Sequence, residues 1–278
     1  MMESKELNQV AGAGASKGMN ASSGTGSLKG MNALKGAGAS SETGALKGAG
    51  SSSETGALKE TSASLENHSP EVKICGITRR EDVEVVSSME ADYAGFILYF
   101  PKSKRNLSLD LAANLVQEFK RQSPHTKCVA VTVSPTHMQM EEIVRAGFHL
   151  LQVHGVLAED VLADCPIPIW RALNITDSIV TKEAMQSPKI SGIVLDGKQP
   201  GSGECFDWEL LEEYNRGDKL LILAGGLSPE NVEEAIQRVH PDVVDVSSGV
   251  EYEGEFRGKD PKKVKAFIQE VRRWRRFI

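Results

Sequence analysis

Residues 220–246 read LLILAGGLSPENVEEAIQRVHPDVVDV. Leu220–Ala224 is a short apolar run of strand length, closed by two glycines. Ser228-Pro229 then places a cap residue before proline at the first position of a helix. Val243–Val246 is a second apolar run. A strand, a helix and another buried strand in succession read as one parallel unit.

The same unit recurs upstream. Strands are expected at Val72–Cys75, Tyr93–Leu98, Lys127–Val133, Leu150–Val153, Ile167–Ala172, Ile190–Leu195, Leu220–Ala224 and Val243–Val246. Helical patterns lie between them. Leu111, Leu115 and Phe119 share one helix face. Thr78 with Glu81 forms a possible capping box, Asp260-Pro261 repeats the cap-proline signal, and Asp207 can cap the segment that follows it. Eight strand–helix pairs in residues 71–278 predict an α/β fold, a single closed (β/α)8 barrel of the TIM type. The competing doubly wound sheet calls for a G-x-G-x-x-G turn after the first strand, and CGITRR (75–80) does not supply it.

The first 70 residues are different in kind. They contain no Phe, Trp, Tyr, Ile or Cys, so all fifteen aromatic residues fall in 71–278. SSETGALK occurs at 40–47 and 52–59, and KGMNA at 17–21 and 29–33. Units so poor in apolar groups cannot offset the entropy of ordering them. A disordered, low-complexity tail over 1–70 is the expectation, with the barrel domain over 71–278. A secretory signal needs an apolar stretch that this segment lacks. A transit peptide is Arg-rich and acid-poor, whereas the first arginine is Arg79 and the segment holds six glutamates.

The formal net charge of −6 argues against a nucleic-acid partner, and no apolar run approaches the length of a membrane span. Cys75, Cys128, Cys165 and Cys205 are widely spaced, with no C-x-x-C pair. Reduced thiols in a cytoplasmic protein fit that pattern.

In such a barrel, functional groups sit at the C-terminal ends of the strands. Cys75 ends the first strand, Gln152 and His154 the fourth, and Asp196 the sixth; Arg105 lies in the loop after the second. Two glycine-bearing turns follow strands seven and eight, AGGLSPENV (224–232) and DVSSGVE (245–251). Glycines let backbone N–H groups approach a ligand, and a helix N-terminus favours an anion. Gly225, Gly226, Ser248 and Gly249 are thus candidate phosphate-binding residues. Cys128 and Cys165 read as structural, Cys205 receives no role, and Lys73 reads as an interior side chain of the barrel. The basic RRWRRF (272–277) reads as a helix end that complements the dipole.

KICGIT (73–78), GFILYFPKSKR (95–105), LLQVHG (150–155), VLDGKQPGSGECFDW (194–208), LAGGLSPENV (223–232) and DVSSGVE occur in order. Together they resemble the phosphoribosylanthranilate isomerase family of tryptophan biosynthesis. The resemblance implies an Amadori rearrangement of N-(5-phosphoribosyl)anthranilate to 1-(2-carboxyphenylamino)-1-deoxyribulose 5-phosphate, without metal or organic cofactor. It implies Cys75 as general base, Asp196 as general acid and Arg105 as the partner of the anthranilate carboxylate. Gln152 and His154 are further candidates for substrate contact. The chain carries one residue more between Gly95 and Arg105 than the family pattern, which leaves Lys102 and Lys104 as alternatives to Arg105. A small phosphorylated substrate is the expected partner; the sequence leaves the oligomeric state open. A thiol serving as base is expected to have its pKa lowered, for which a helix N-terminus would serve, and Asp196 to have its pKa raised. Two rival readings are a histidine-pathway aminoaldose isomerase, which would carry aspartate at the first strand end, and a phosphate-binding barrel without chemistry.

Overall fold

The computed structural model describes residues 69–174, 187–196, 218–254 and 258–274. Eight strands are ordered along the chain: β1 (Glu71–Cys75), β2 (Tyr93–Leu98), β3 (Lys127–Val133), β4 (Leu150–His154), β5 (Ile169–Asn174), β6 (Ile190–Asp196), β7 (Leu220–Leu223) and β8 (Val243–Val246). Each pairs in parallel with its neighbours. β1 pairs with both β2 and β8, and this closes the ring. A two-residue strand, Asn106–Leu107, adds to the outer end of β2. The expected (β/α)8 barrel is therefore the observed fold. Its fifth strand begins two residues later than the sequence suggested. Pro168 has no N–H to give to a ladder, and only its carbonyl is used, accepting from Leu151.

Among the described residues the helices are α1 (Arg80–Ser88), α2 (Leu109–Gln122), α3 (His137–Arg145), α4 (Glu159–Asp164), α5 (Val232–Val239) and α6 (Pro261–Arg273). None is long and apolar enough to cross a membrane. The repetitive segment up to residue 68, the helices expected after β5 and β6, Cys205 and Asp207 lie outside the described residues.

Three local expectations change. Thr78 does not cap α1; its N–H and hydroxyl both donate to Asp82 Oδ2, at 2.9 and 3.0 Å. Ser228-Pro229 opens a turn and the helix starts at Val232, because Asn231 turns its side-chain carbonyl back onto the Ser228 N–H. Leu111 is exposed, and α2 buries Ala112, Leu115, Val116 and Phe119 instead. Asp260 caps α6 as expected, accepting from the N–H groups of Lys262 and Lys263.

The pleat divides the strands into two layers. Outward residues such as Ile74, Phe96, Leu151 and Ile193 pack with the helices in one large core. Inward residues form a second, smaller core in which Tyr93, Val129, Leu150, Trp170, Val194, Ile222 and Val243 meet. Tyr93 and Trp170 touch there with ring centroids 4.8 Å apart. Two residues further along, β4, β6 and β8 present polar side chains, Gln152, Asp196 and Asp245, in the layer that also holds Cys75 of β1. That change of layer creates the floor of the site.

Candidate active site

Cys75 lies opposite Gly95 in the β1–β2 ladder. A Cβ on Gly95 would stand 2.8 Å from the Cys75 sulfur, so glycine there makes room for the thiol. The chain then turns through Gly76 at φ +83°, and the N–H groups of Gly76 and Ile77 both donate to the Gly95 carbonyl at 2.9 Å. A Cβ on Gly76 would meet Arg105 Cδ at 2.5 Å. The glycine therefore clears the path along which Arg105 crosses the mouth of the barrel.

Arg105 is 6% exposed and grips Glu251 with two bonds, Nε to Oε1 at 2.5 Å and Nη2 to Oε2 at 2.9 Å. Lys259 Nζ donates to Glu251 Oε1 and to the Ser247 carbonyl, both at 3.1 Å. Lys104 adds a longer pairing to Glu251 at 3.4 Å. Burial would raise the Glu251 carboxyl, but Arg105 and Lys259 prevail and hold it below the ordinary range. The fork of Arg105 is thereby fixed before any ligand arrives.

Beneath this layer, Lys73 Nζ donates to Asp245 Oδ2 at 2.5 Å, with the lysine wholly buried. Burial disfavours the ammonium, yet Asp245 and Cys75 outweigh burial and keep Lys73 charged. The Cys75 thiol is pushed up by burial, with Lys73 and Lys259 pulling against that shift. This corrects the expectation of a thiol acidified by a helix N-terminus. α1 begins only at Arg80, and the positive groups acting on the sulfur are the two lysines.

His154 and Gln152 sit side by side at the end of β4, with Gln152 Nε2 and His154 Nε2 2.9 Å apart. Burial, followed by Lys73 and Arg171, lowers the His154 pKa to about 4, so this imidazole is neutral at neutral pH. Asp196, 8% exposed, ends β6. The turn after β7 carries Gly225 and Gly226 at φ +87° and +67°, a conformation that side chains disfavour.

A cavity of about 480 Å³ gathers these groups. Cys75, Arg105, Gln152, His154, Asp196, Gly225, Gly226 and Ser248 all line it, as do Lys102 and Lys104. Gly249 does not. A Cβ there would come within 2.1 Å of the Leu227 carbonyl, so Gly249 is where the turn after β8 rests on the turn after β7. Among the described residues no group of three or more His, Cys, Asp or Glu is placed to hold a metal ion. The mouth thus offers a thiol and a carboxyl group, a guanidinium fixed by Glu251, and the turns after β7 and β8. That set suits moving protons on a substrate that is both carboxylated and phosphorylated.

The family model for N-(5'phosphoribosyl)anthranilate (PRA) isomerase matches residues 72–270. The chain belongs to the N-(5'-phosphoribosyl)anthranilate isomerase family. An N-(5'-phosphoribosyl)anthranilate isomerase of Streptococcus mutans is 40% identical over 204 residues, covering 73% of this chain and 99% of the relative. The crystal structure of phosphoribosyl anthranilate isomerase from Thermotoga maritima is 33% identical with a TM-score of 0.64, covering 73% of this chain and 98% of that one. A further phosphoribosyl anthranilate isomerase structure, in complex with reduced 1-(o-carboxyphenylamino)-1-deoxyribulose 5-phosphate, is 32% identical with a TM-score of 0.62, again covering 73% and 98%.

Four residues of this phosphoribosylanthranilate isomerase homologue escaped the sequence reading as site groups: Asp245, Glu251, Lys259 and, as more than interior packing, Lys73. A signal existed for two of them. A lysine in VKIC and an aspartate in VVDV are charges inside apolar strands, and a charge so placed needs a partner. Their partnership, across 172 residues of chain, left no local trace.

Proposed function

We propose that Cys75 and Asp196 carry out the Amadori rearrangement that defines this isomerase family. The substrate is N-(5-phosphoribosyl)anthranilate, an aminoaldose, and the reaction lies on the route to tryptophan. Asp196, as the carboxylic acid, gives its proton to the ribose ring oxygen while the anthranilate nitrogen lone pair forms the C1′=N bond and the C1′–O bond breaks. The resulting iminium makes the C2′ proton acidic. The Cys75 thiolate accepts that proton, and the C–H electron pair becomes the C1′=C2′ bond of an enolamine. Tautomerisation adds a proton at C1′ and releases one from the C2′ hydroxyl, giving the ketone. Solvent returns Cys75 and Asp196 to their starting states. The cation formed on ring opening favours a thiolate beside it, which offsets the burial that otherwise keeps Cys75 protonated.

Arg105, its guanidinium oriented by Glu251, takes the anthranilate carboxylate. Gln152 and the neutral His154 contact the sugar. Gly225, Gly226 and Ser248 take the phosphate, and Gly249 keeps the two turns in register. No cofactor enters this scheme, and the enzyme is assigned to the cytoplasm.

The observation that carries the reading is the single cavity lined by Cys75, Asp196, Arg105 and the turn after β7. The decay of anthranilate fluorescence on adding purified protein to phosphoribosylanthranilate tests it. Loss of signal at a rate proportional to enzyme is expected, and a flat trace from folded protein would refute it.

A further inference from the structure

Lys73 is 0% exposed, and it is absent from the residues that line the cavity, whereas Cys75 and Asp245 both line it. An ammonium therefore lies just under the cavity floor, out of reach of substrate. Lysine is among the residues least often wholly buried, and a buried ion pair is weak as a device for stability, since apolar side chains of similar volume commonly serve as well. Packing alone does not account for this charge.

Its geometry does. Lys73 and Cys75 are two residues apart on β1, so both side chains project from one face of the strand. The ammonium has three N–H donors. One goes to Asp245 Oδ2 at 2.5 Å, and the positive charge of the group acts on the Cys75 thiol two residues along the same strand face. Asp245 stands on β8, the strand hydrogen-bonded to β1, with Lys73 and Asp245 in register. The ladder thus anchors the ammonium on the face of β1 that also carries the Cys75 side chain. The charged groups that act on the thiol are Lys73 from its own strand, Asp245 from β8 and Lys259 from the segment before α6. Lys259 is engaged by Glu251, and it reaches the sulfur by charge alone.

We propose that Lys73 is a positioning residue that stabilises the Cys75 thiolate, and that Asp245 holds its ammonium in place. The inference rests on Cys75 as the proton acceptor for its catalytic meaning, but its physical content is a property of the thiol alone. The β1 motif is then a unit in which the lysine supplies the field and the cysteine two residues later uses it.

The test is the pH dependence of Cys75 alkylation by iodoacetamide, read by site-resolved mass spectrometry, beside the pH profile of kcat. Lys73→Met removes the charge at similar length. The midpoint of Cys75 alkylation should rise by about one unit or more, roughly a tenfold slower reaction at pH values below it. An unmoved midpoint in a variant with native circular dichroism would overturn the proposal. Where Lys73→Met fails to fold because Asp245 is left buried without its partner, Lys73→Met/Asp245→Asn buries neither charge. The same upward direction is expected there, since Lys73 shares a strand face with the thiol two residues away, whereas Asp245 stands on the neighbouring strand in register with Lys73 rather than with Cys75. If the alkylation midpoint rises and the rising limb of kcat follows it, both readings stand. If the midpoint rises and the kcat limb stays, the field of Lys73 is upheld and Cys75 is not the base.

Discussion

Replacing Gly249 by alanine probes the contact between the two turns proposed to hold phosphate. The added Cβ would sit 2.1 Å from the Leu227 carbonyl oxygen and 3.1 Å from both the Leu227 carbonyl carbon and Ser228 Cα. Ordinary contact begins near 3.4 Å, so one turn has to retreat by roughly 1.3 Å. The turn after β7 is poorly able to give way. Asn231 ties it at both ends, donating to the Gly226 carbonyl at 2.9 Å and accepting from the Ser228 N–H at 2.8 Å. The displacement therefore falls on Ser247–Ser248. Overpacking of this kind costs about 1–3 kcal/mol of stability. Losing one hydrogen bond to a charged group costs about 1.5–3 kcal/mol, or roughly 10- to 100-fold in affinity for the anion. Competition between inorganic phosphate and substrate measures the second quantity and thermal melting the first. Phosphate inhibition unchanged in a folded Gly249→Ala protein would refute the reasoning and place the anion away from these turns.

Cys75→Ala and Asp196→Asn should each lower kcat by about 10²–10⁴-fold with circular dichroism unaltered; a folded variant with near-normal turnover loses its assigned role. Arg105→Ala should cost about 2–4 kcal/mol in kcat/KM. Because the mutation also removes one partner of Glu251, the comparison that isolates the substrate contact is an aniline analogue lacking the carboxylate, for which the loss should be smaller; equal losses would make Arg105 a structural residue. Burial pushes the Glu251 carboxyl up but Arg105 and Lys259 depress it further, so the stability it contributes is complete above its unfolded value near 4.5 and is lost as pH falls through the lower folded value. Glu251→Gln should accordingly lower Tm at neutral pH and flatten its fall in acid, and an acid slope identical to wild type would assign that sensitivity elsewhere. Removing residues 1–68, which lack aromatic side chains, should leave kcat/KM within about twofold; a larger drop in the truncated enzyme would give the segment a part in the barrel's work.

The strands were legible because a parallel barrel buries them on both faces, so Tyr93–Leu98, Lys127–Val133 and Val243–Val246 appear as runs whose limits match the observed ones. Positions at strand ends followed from the fold, which is why Cys75, His154 and Asp196 could be named. Helix starts were less legible. Thr78 and Ser228 have the chemistry of caps, but Asp82 and Asn231 accept the N–H groups of Thr78 and Ser228 themselves and draw both residues into turns ahead of the helices; Asp82 is in turn held by a distant residue, its Oδ1 accepting the Lys259 N–H at 2.8 Å. The charged pairs were illegible for the same reason. Neither the Arg105–Glu251 fork nor the Lys73–Asp245 bond has a spacing that a sequence can display.

Closure of the ring by β1 and β8 has a consequence for how activity arises during folding. Lys73 meets Asp245 across 172 residues and Arg105 meets Glu251 across 146, so each of these pairs draws one partner from the first quarter of the barrel segment and the other from its last strand or the turn beyond. Contacts of such sequence separation form late, once the loop-closure entropy has been met by shorter-range pairings. A chain still emerging from the ribosome already carries Cys75 and Asp196 before Val243–Glu251 has been made. Until Val243–Glu251 arrives, though, Lys73 has no carboxylate to anchor it and Arg105 no fork to hold. Assembly of both ion pairs is thus tied to the arrival of the C-terminal end of the barrel rather than to the gradual growth of the sheet.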